Sequence, residues 1–144
     1  ARPCSPSPRP RTSSPSPTRH RLVGEALALM RTPGATAIFG LGSRAEVPVA
    51  GRILLPGGRE VAVSGRIDRL LITPERIVIA DFKTGRADAD GTAHATQLAL
   101  YRDLLRRMFP GRPVECLLVW TRSQRIERID DDALDAALAA FTPP

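Results

Sequence analysis

The run of residues 64–84, SGRIDRLLITPERIVIADFKT, leaves this chain few ways to fold. Thr73-Pro74-Glu75-Arg76 reads as a turn, and the stretches on either side read as adjacent strands. The second stretch, 77–82, is nearly all apolar, as a central strand covered on both faces requires. Each stretch carries an aspartate, Asp68 in the first and Asp81 in the second. A strand alternates its side chains, so Asp81 and Lys83 are expected on one face with Ile77 and Ile79 behind them. Two carboxylates and an ammonium at the ends of apolar strands are costly to bury without compensation. A divalent metal and a phosphate would compensate all three charges at once.

The flanking sequence supplies the rest of an α/β domain. LVGEALALM (22–30) suits a short helix ended by Thr32-Pro33-Gly34, and 45–50 reads as a strand. Gly57-Gly58 looks like a hairpin tip leading into a strand over Glu60–Ile72. After a polar turn at 85–91, Gln97, Tyr101, Leu104 and Met108 recur at helical spacing, predicting a helix over 92–108. Pro110, Gly111 and Pro113 stop it. A buried strand at 114–121, an edge strand at Arg125–Ile129 and an amphipathic helix at 130–140 complete the order. The expected architecture is a mixed central sheet flanked by helices.

Composition narrows the function classes. With 144 residues there is room for one domain and its core. No apolar run approaches the roughly 20 residues that span a bilayer, and no secretory h-region is visible, so no membrane role and a cytoplasmic location are expected. The chain begins with Ala1 rather than Met, as a fragment or a chain with an unusual start would. Residues 1–21 hold six prolines and five serines with PSP repeated, a composition expected to stay disordered, leaving 22–144 as the folded domain. That tail carries five arginines and no acid, while the remainder has 16 basic against 15 acidic residues, so most of the +6 net charge lies outside the domain. A basic tail attracts polyanions, but arginine-rich tails are also simply solvated. Cys4 and Cys116 make neither a disulfide framework nor an iron–sulfur cluster, which needs four thiolates. Cys116 reads as an inert core thiol.

Phosphodiester hydrolysis needs an activated water and stabilised charge at phosphorus and the leaving oxygen. Mg²⁺, or Mn²⁺, supplies both and prefers carboxylate and carbonyl oxygens. Asp68 and Asp81, from adjacent strands, could share one ion, with the backbone carbonyl of Phe82 as a third ligand. Lys83 could orient or deprotonate the attacking water and offset transition-state charge. Glu46, on the preceding strand, could add a ligand directly or through water. Gln97 and Tyr101, spaced i, i+4, share one helical face and could hold the scissile phosphate or a metal-bound water. Taken singly, each has a plainer reading. Asp68 could pair with Arg66 or Arg69, D-x-K recurs by chance, Tyr101 could be a core aromatic, and Glu46 could face solvent. His94, three residues before Gln97, could approach the site, although an exposed residue near the start of its helix is the favoured reading.

Together, Gly65-x-x-Asp68, Asp81-x-Lys83 and Gln97-x-x-x-Tyr101 resemble the PD-(D/E)XK nuclease superfamily, whose core is restriction-endonuclease-like, and Q-x-x-x-Y points to its RecB-like branch. SRAEVPVAG (43–51), residues 64–86, QLALYRDLLRRMFPGRPVECLLVWT (97–121) and LDAAL (134–138) are similar to the C-terminal nuclease domains of AddA, the helicase–nuclease subunit of bacterial AddAB double-strand-break repair complexes. The resemblance covers roughly residues 22–141. It implies Asp68 and Asp81 as metal-binding acids, Lys83 as catalytic lysine, Glu46 as the acid before a Val-Pro strand, and Gln97 and Tyr101 as the helical motif. It further implies Mg²⁺, single-stranded or helicase-unwound DNA as substrate, and an AddB-like partner.

Two departures stand out. The family's upstream histidine-bearing helix is expected to be replaced here by the Pro/Ser/Arg tail, with His20 in the wrong context. No G-x-x-x-x-G-K-[ST] phosphate loop occurs either, so no ATPase or helicase activity is expected of this chain alone. The competing reading is a catalytically weak or inactive truncated module that binds DNA or an AddB-like partner.

Overall fold

In the computed structural model, residues 17–85 and 91–143 are described. Their elements run α1 (Pro17–Met30), α2 (Ala35–Phe39), β1 (Arg44–Leu54), β2 (Glu60–Ile72), β3 (Ile77–Lys83), α3 (Gly91–Met108), β4 (Val114–Trp120), β5 (Arg125–Ile129) and α4 (Asp131–Ala140). The five strands form one sheet in sequence order, β1-β2-β3-β4-β5. Only β3 and β4 run parallel. A parallel pair needs a crossover rather than a hairpin, and α3 supplies it. The β1–β2 hairpin turns at Gly57 and Gly58, both at positive φ, where a side chain would strain the backbone.

The apolar run of β3 is covered on both faces, as its composition requires. Ile77 and Ile79 face α3 and α4, together with Cys116, Leu118 and Trp120 of β4 and Leu98, Leu105 and Leu134 of the helices. Val78 and Ala80 face the other way, against Leu29 of α1, Ile38 of α2 and Leu117 and Val119 of β4. The architecture is a mixed sheet between two helical layers. Asp81 and Lys83 continue the Ile77 and Ile79 face and so point toward α3.

Most elements lie where their periodicity puts them, and the differences have simple causes. β1 is longer than expected because it pairs with β2 all the way to the hairpin tip, from Arg44↔Leu70 to Leu54↔Glu60. The short helix α2, ATAIF, was not foreseen: five residues are too few to show a helical period. α1 starts at Pro17 rather than near Leu22, with proline at the position of a first turn where its missing N–H does no harm. The expectation for the tail otherwise concerns residues 1–16, outside the described residues, as does much of the turn at 85–91. Among the described residues no helix is long and apolar enough to cross a membrane.

Cys116 bears out an inert core thiol. It is almost fully buried, and burial, the main influence, pushes its pKa up to about 12. A thiol so protonated is a poor nucleophile. In a Cys4→Ser variant at about pH 8, Ellman's reagent should react only after denaturant is added. Rapid reaction with the folded protein would show that β4 opens locally.

Candidate active site

The acids meet because β1 and β2 break their alternation at the same level. Ile67 and Leu70 both pack in the α3-side core, although three residues apart they would face opposite ways in a regular strand. On β1 the matching irregularity is Glu46, at φ 54. The β1–β2 ladder pairs Ala45 with Arg69 and Val47 with Ile67, leaving Glu46 and Asp68 unpaired between them. Below the switch Asp68 shares the face of Leu70, the partner of Ile79. That face also bears Asp81 and Lys83.

Hydrogen bonds fix the geometry. Asp68 Oδ2 accepts the backbone N–H of Phe82 at 2.8 Å. The β2–β3 ladder has ended at Arg69↔Ala80, so this side chain continues the pairing that the backbone has left. In an extended strand the N–H and C=O of one residue point the same way, so the Phe82 carbonyl also faces the Asp68 side. Lys83 turns its own carbonyl to β4, where the N–H of Thr121 (3.0 Å) and its hydroxyl (3.2 Å) both donate to it. Behind the site the Phe82 ring stacks on Phe39 of α2, with centroids 6.0 Å apart, and the Arg69 guanidinium lies 5.4 Å from the Phe39 centroid.

Lys83 Nζ approaches Asp81 Oδ2 to 2.6 Å, and both side chains are largely buried. Apart from that ion pair, Oδ2 has no further hydrogen-bond partner among the described residues. Burial is the strongest influence on Asp81 and raises its pKa; Lys83 lowers it, and the adjacent Asp68 raises it again, for a net upward shift. Two neighbouring carboxylates with one lysine, paired to Asp81, leave an excess of negative charge in a poorly solvated place. This donor set fits a hard divalent cation, and Asp68, Asp81 and the Phe82 carbonyl are the oxygens available to it.

The remaining expected residues are placed less uniformly. Glu46 stands opposite Asp68 in register, yet its carboxylate lies 3.3 Å from Arg66 in an exposed ion pair rather than with the two aspartates. Among the described residues no three carboxylate, imidazole or thiol side chains cluster as a metal site. Gln97 Nε2 donates to Tyr101 Oη at 3.2 Å, so the helical pair is held together. Tyr101 is buried against Gly65, and a Cβ built on Gly65 would fall 2.0 Å from its Oη and 2.9 Å from its Cζ. The glycine of Gly65-x-x-Asp68 is thus the seat of the tyrosine. A cleft of about 450 Å³ opens beside Gln97 and Tyr101, bounded by Val61, Ser64, Leu100 and Phe141. A larger groove of about 560 Å³ lies between β1, β2 and the end of α3. Its lining, including Val47, Leu70 and Phe109, offers no carboxylate, so volume alone would misplace the site.

Gly65→Ala should therefore lower stability by roughly 1–3 kcal/mol, the usual range for overpacking. The loss should shrink strongly in a Tyr101→Ala background, read by denaturant unfolding of the double-mutant cycle. An equal loss in both backgrounds would show that Tyr101 is not what Gly65 accommodates.

One feature, Arg102, escaped sequence reasoning, and His94 departs from the reading favoured for it. His94 is not simply exposed: it is half-buried with its ring edge-on to Trp120, centroids 6.3 Å apart. Its spacing of three residues before Gln97 allows the approach to the site, and Tyr101 continues the same stripe at i+7. Arg102, next to Tyr101, is almost fully buried among Asp103, Asp131 and Asp135 and ties α3 to α4. His20 lies exposed on α1, in a helix rather than a proline-rich tail.

No curated protein matches the sequence. A solved structure described as the crystal structure of SSO0001 is 18% identical, with a TM-score of 0.40 over 83% of this chain. The chain spans 57% of that structure's length. The model of the PD-(D/E)XK nuclease superfamily matches residues 15–141, nearly the whole chain, and the protein belongs to that superfamily.

Proposed function

We propose that this domain is a divalent-metal-dependent deoxyribonuclease, using Mg²⁺ or Mn²⁺ to hydrolyse phosphodiester bonds in single-stranded or helicase-unwound DNA. The observation that carries the reading is the convergence of Asp68, Asp81 and Lys83, with a buried carboxylate oxygen whose only partner among the described residues is the lysine. Members of the superfamily are generally nucleases and typically use divalent metals. The likeness of residues 43–51, 64–86 and 97–121 to AddA nuclease domains supports a role in double-strand-break repair, beside a helicase motor and an AddB-like subunit.

In this reading Asp68, Asp81 and the Phe82 carbonyl hold the cation. When bound, it would polarise the phosphate and lower the pKa of water. Lys83, beside Asp81, would orient or deprotonate the attacking water and meet charge developing on the phosphate. Gln97 and Tyr101 form the wall over β2 that positions the strand. Asp68 also fixes the backbone of Phe82, so it sets both a ligand and the geometry of its neighbour.

The second reading, a catalytically weak module that binds DNA or an AddB-like partner, draws support from Glu46. Its carboxylate is engaged by Arg66, leaving two acids where a third could have helped. Calorimetry with Mg²⁺ and Mn²⁺, beside cleavage of single-stranded DNA with either metal or EDTA, separates the two. The nuclease reading expects saturable metal binding and EDTA-sensitive cleavage. Absence of both would favour the inactive module.

A further inference from the structure

The face of α3 that bears Gln97 and Tyr101 extends one turn further toward the helix start, to His94. Residues at i, i+3 and i+7 lie in one stripe, so His94, Gln97 and Tyr101 point the same way. The two ends of that stripe rest on different strands. Tyr101 sits on Gly65 of β2, and His94 meets the ring of Trp120 of β4. Between β2 and β4 lies β3, with Asp81 and Lys83 on the same face. Lys83 and Trp120 are direct partners across the parallel ladder, and their side chains stand side by side. Parallel strands are about 4.8 Å apart, so the imidazole borders the lysine's side of the site.

Trp120 is a fixed platform for it. Its ring is almost fully buried, and its indole N–H donates to Glu127 Oε2 at 3.3 Å. His94 itself is only half-buried and has no hydrogen-bond partner among the described residues. An imidazole carries at least one N–H donor in either protonation state. A donor on a rigid ring, braced on one side and open on the other, suits an anionic ligand that arrives from solvent.

We propose that His94 is a DNA-contacting residue that donates to a phosphate oxygen of the bound strand on the Lys83–Trp120 side of the site. Gln97 and Tyr101 bound the opposite side, over β2. The inference rests on the nuclease reading for its substrate and adds to it a residue outside the motifs Gly65-x-x-Asp68, Asp81-x-Lys83 and Gln97-x-x-x-Tyr101.

Three substitutions separate a phosphate contact from packing on Trp120. His94→Ala removes ring and donor, His94→Phe keeps the ring alone, and His94→Gln keeps an N–H donor. Binding of a fluorescein-labelled single-stranded oligonucleotide is read by anisotropy in Ca²⁺, and kcat/KM for cleavage in Mg²⁺. Ala and Phe should each weaken binding and lower kcat/KM about tenfold, the size of one hydrogen bond to a charged group, and Gln should recover most of it. Thermal unfolding should stay close to wild type for Phe and Gln. If Phe behaves as wild type, or if all three bind DNA unchanged, the proposal is overturned. A wild-type protein that binds DNA with this His94 dependence but never cleaves it sinks the nuclease reading alone. A wild-type protein that neither binds nor cleaves sinks both.

Discussion

Asp81→Asn should abolish metal binding and lower DNA cleavage by at least about 10²–10³-fold, the scale seen when one main electrostatic group is removed, yet melt no lower than wild type without metal near neutral pH. The two effects have one cause. Asp81 is buried beside Asp68, and burial raises its pKa above the ordinary 3.8 despite Lys83. A carboxyl whose pKa is raised by folding binds its proton more tightly in the native state. Its stabilising contribution is present while it is protonated and falls away as pH climbs from the unfolded value through the raised one. At neutral pH the metal-free fold therefore carries an unfavourable charge that asparagine lacks. Differential scanning calorimetry in EDTA should show any advantage of Asp81→Asn shrinking as pH falls toward the acid range. Added Mg²⁺ should raise the melting temperature of the wild type only, because a ligand that binds the native state alone stabilises it. A variant that melts well below wild type at neutral pH would mean that the Asp81–Lys83 pair outweighs its burial.

Arg102→Ala should be the most damaging single change to the fold, by about 3–5 kcal/mol. The guanidinium is 1% exposed and lies 3.1 Å from Asp103 Oδ1 and 3.0 Å from Asp131 Oδ1, with a short contact to Asp135. Burial is the largest single influence on its pKa and lowers it, but the three acids together outweigh burial and the net shift is upward. Removing the side chain leaves a cavity where α3 meets α4 and strips three carboxylates of their common partner. Asp131 and Asp135 are more than half exposed and can rehydrate, which places the loss toward the lower end of that range. Arg102→Met, which fills much of the volume without charge, should recover part of it. Urea unfolding measures all three proteins. Because Arg102 follows Tyr101 directly, a loosened α3–α4 contact should also reduce cleavage by blurring the stripe over the site. A loss below about 1 kcal/mol, the level of an exposed pair, would show that the acids do not need it.

Local pattern carried much of the fold. β2 and β5 lie over the residues their apolar pattern gives, since turns or breakers bracket each. α3 reads from the spacing of Gln97, Tyr101, Leu104 and Met108. The pairing of Asp81 with Lys83 follows from strand alternation alone. What lay beyond the sequence depends on register. No local signal puts Glu46, a non-glycine residue, at φ 54, or brings Asp68 onto the α3-side face that Ile67 and Leu70 share, toward Asp81. The spacing of His94 to Gln97 leaves open an approach to the site, but its contact with Trp120, beside Lys83, is legible only from the register of β3 and β4. α1 is only weakly amphipathic, with Leu22, Val23, Leu27 and Met30 exposed, so its start could not be read from period and falls inside a proline- and arginine-rich stretch. Arg102 looks like any polar helix residue because the acids that bury it come from α4, beyond the next two strands.

The central claim is that Asp68, Asp81 and Lys83 form one hydrolytic centre, and Lys83→Ala tests it most directly. Removing Lys83 leaves the largely buried Asp81 without its counter-charge, so the metal-free protein should lose stability that added Mg²⁺ restores, and the ammonium beside the acids is gone. Cleavage of end-labelled single-stranded DNA in Mg²⁺ should fall by about 10²–10³-fold, while metal binding by calorimetry persists or tightens with its competitor gone. Metal-dependent cleavage that survives both Lys83→Ala and Asp81→Ala would contradict the assignment.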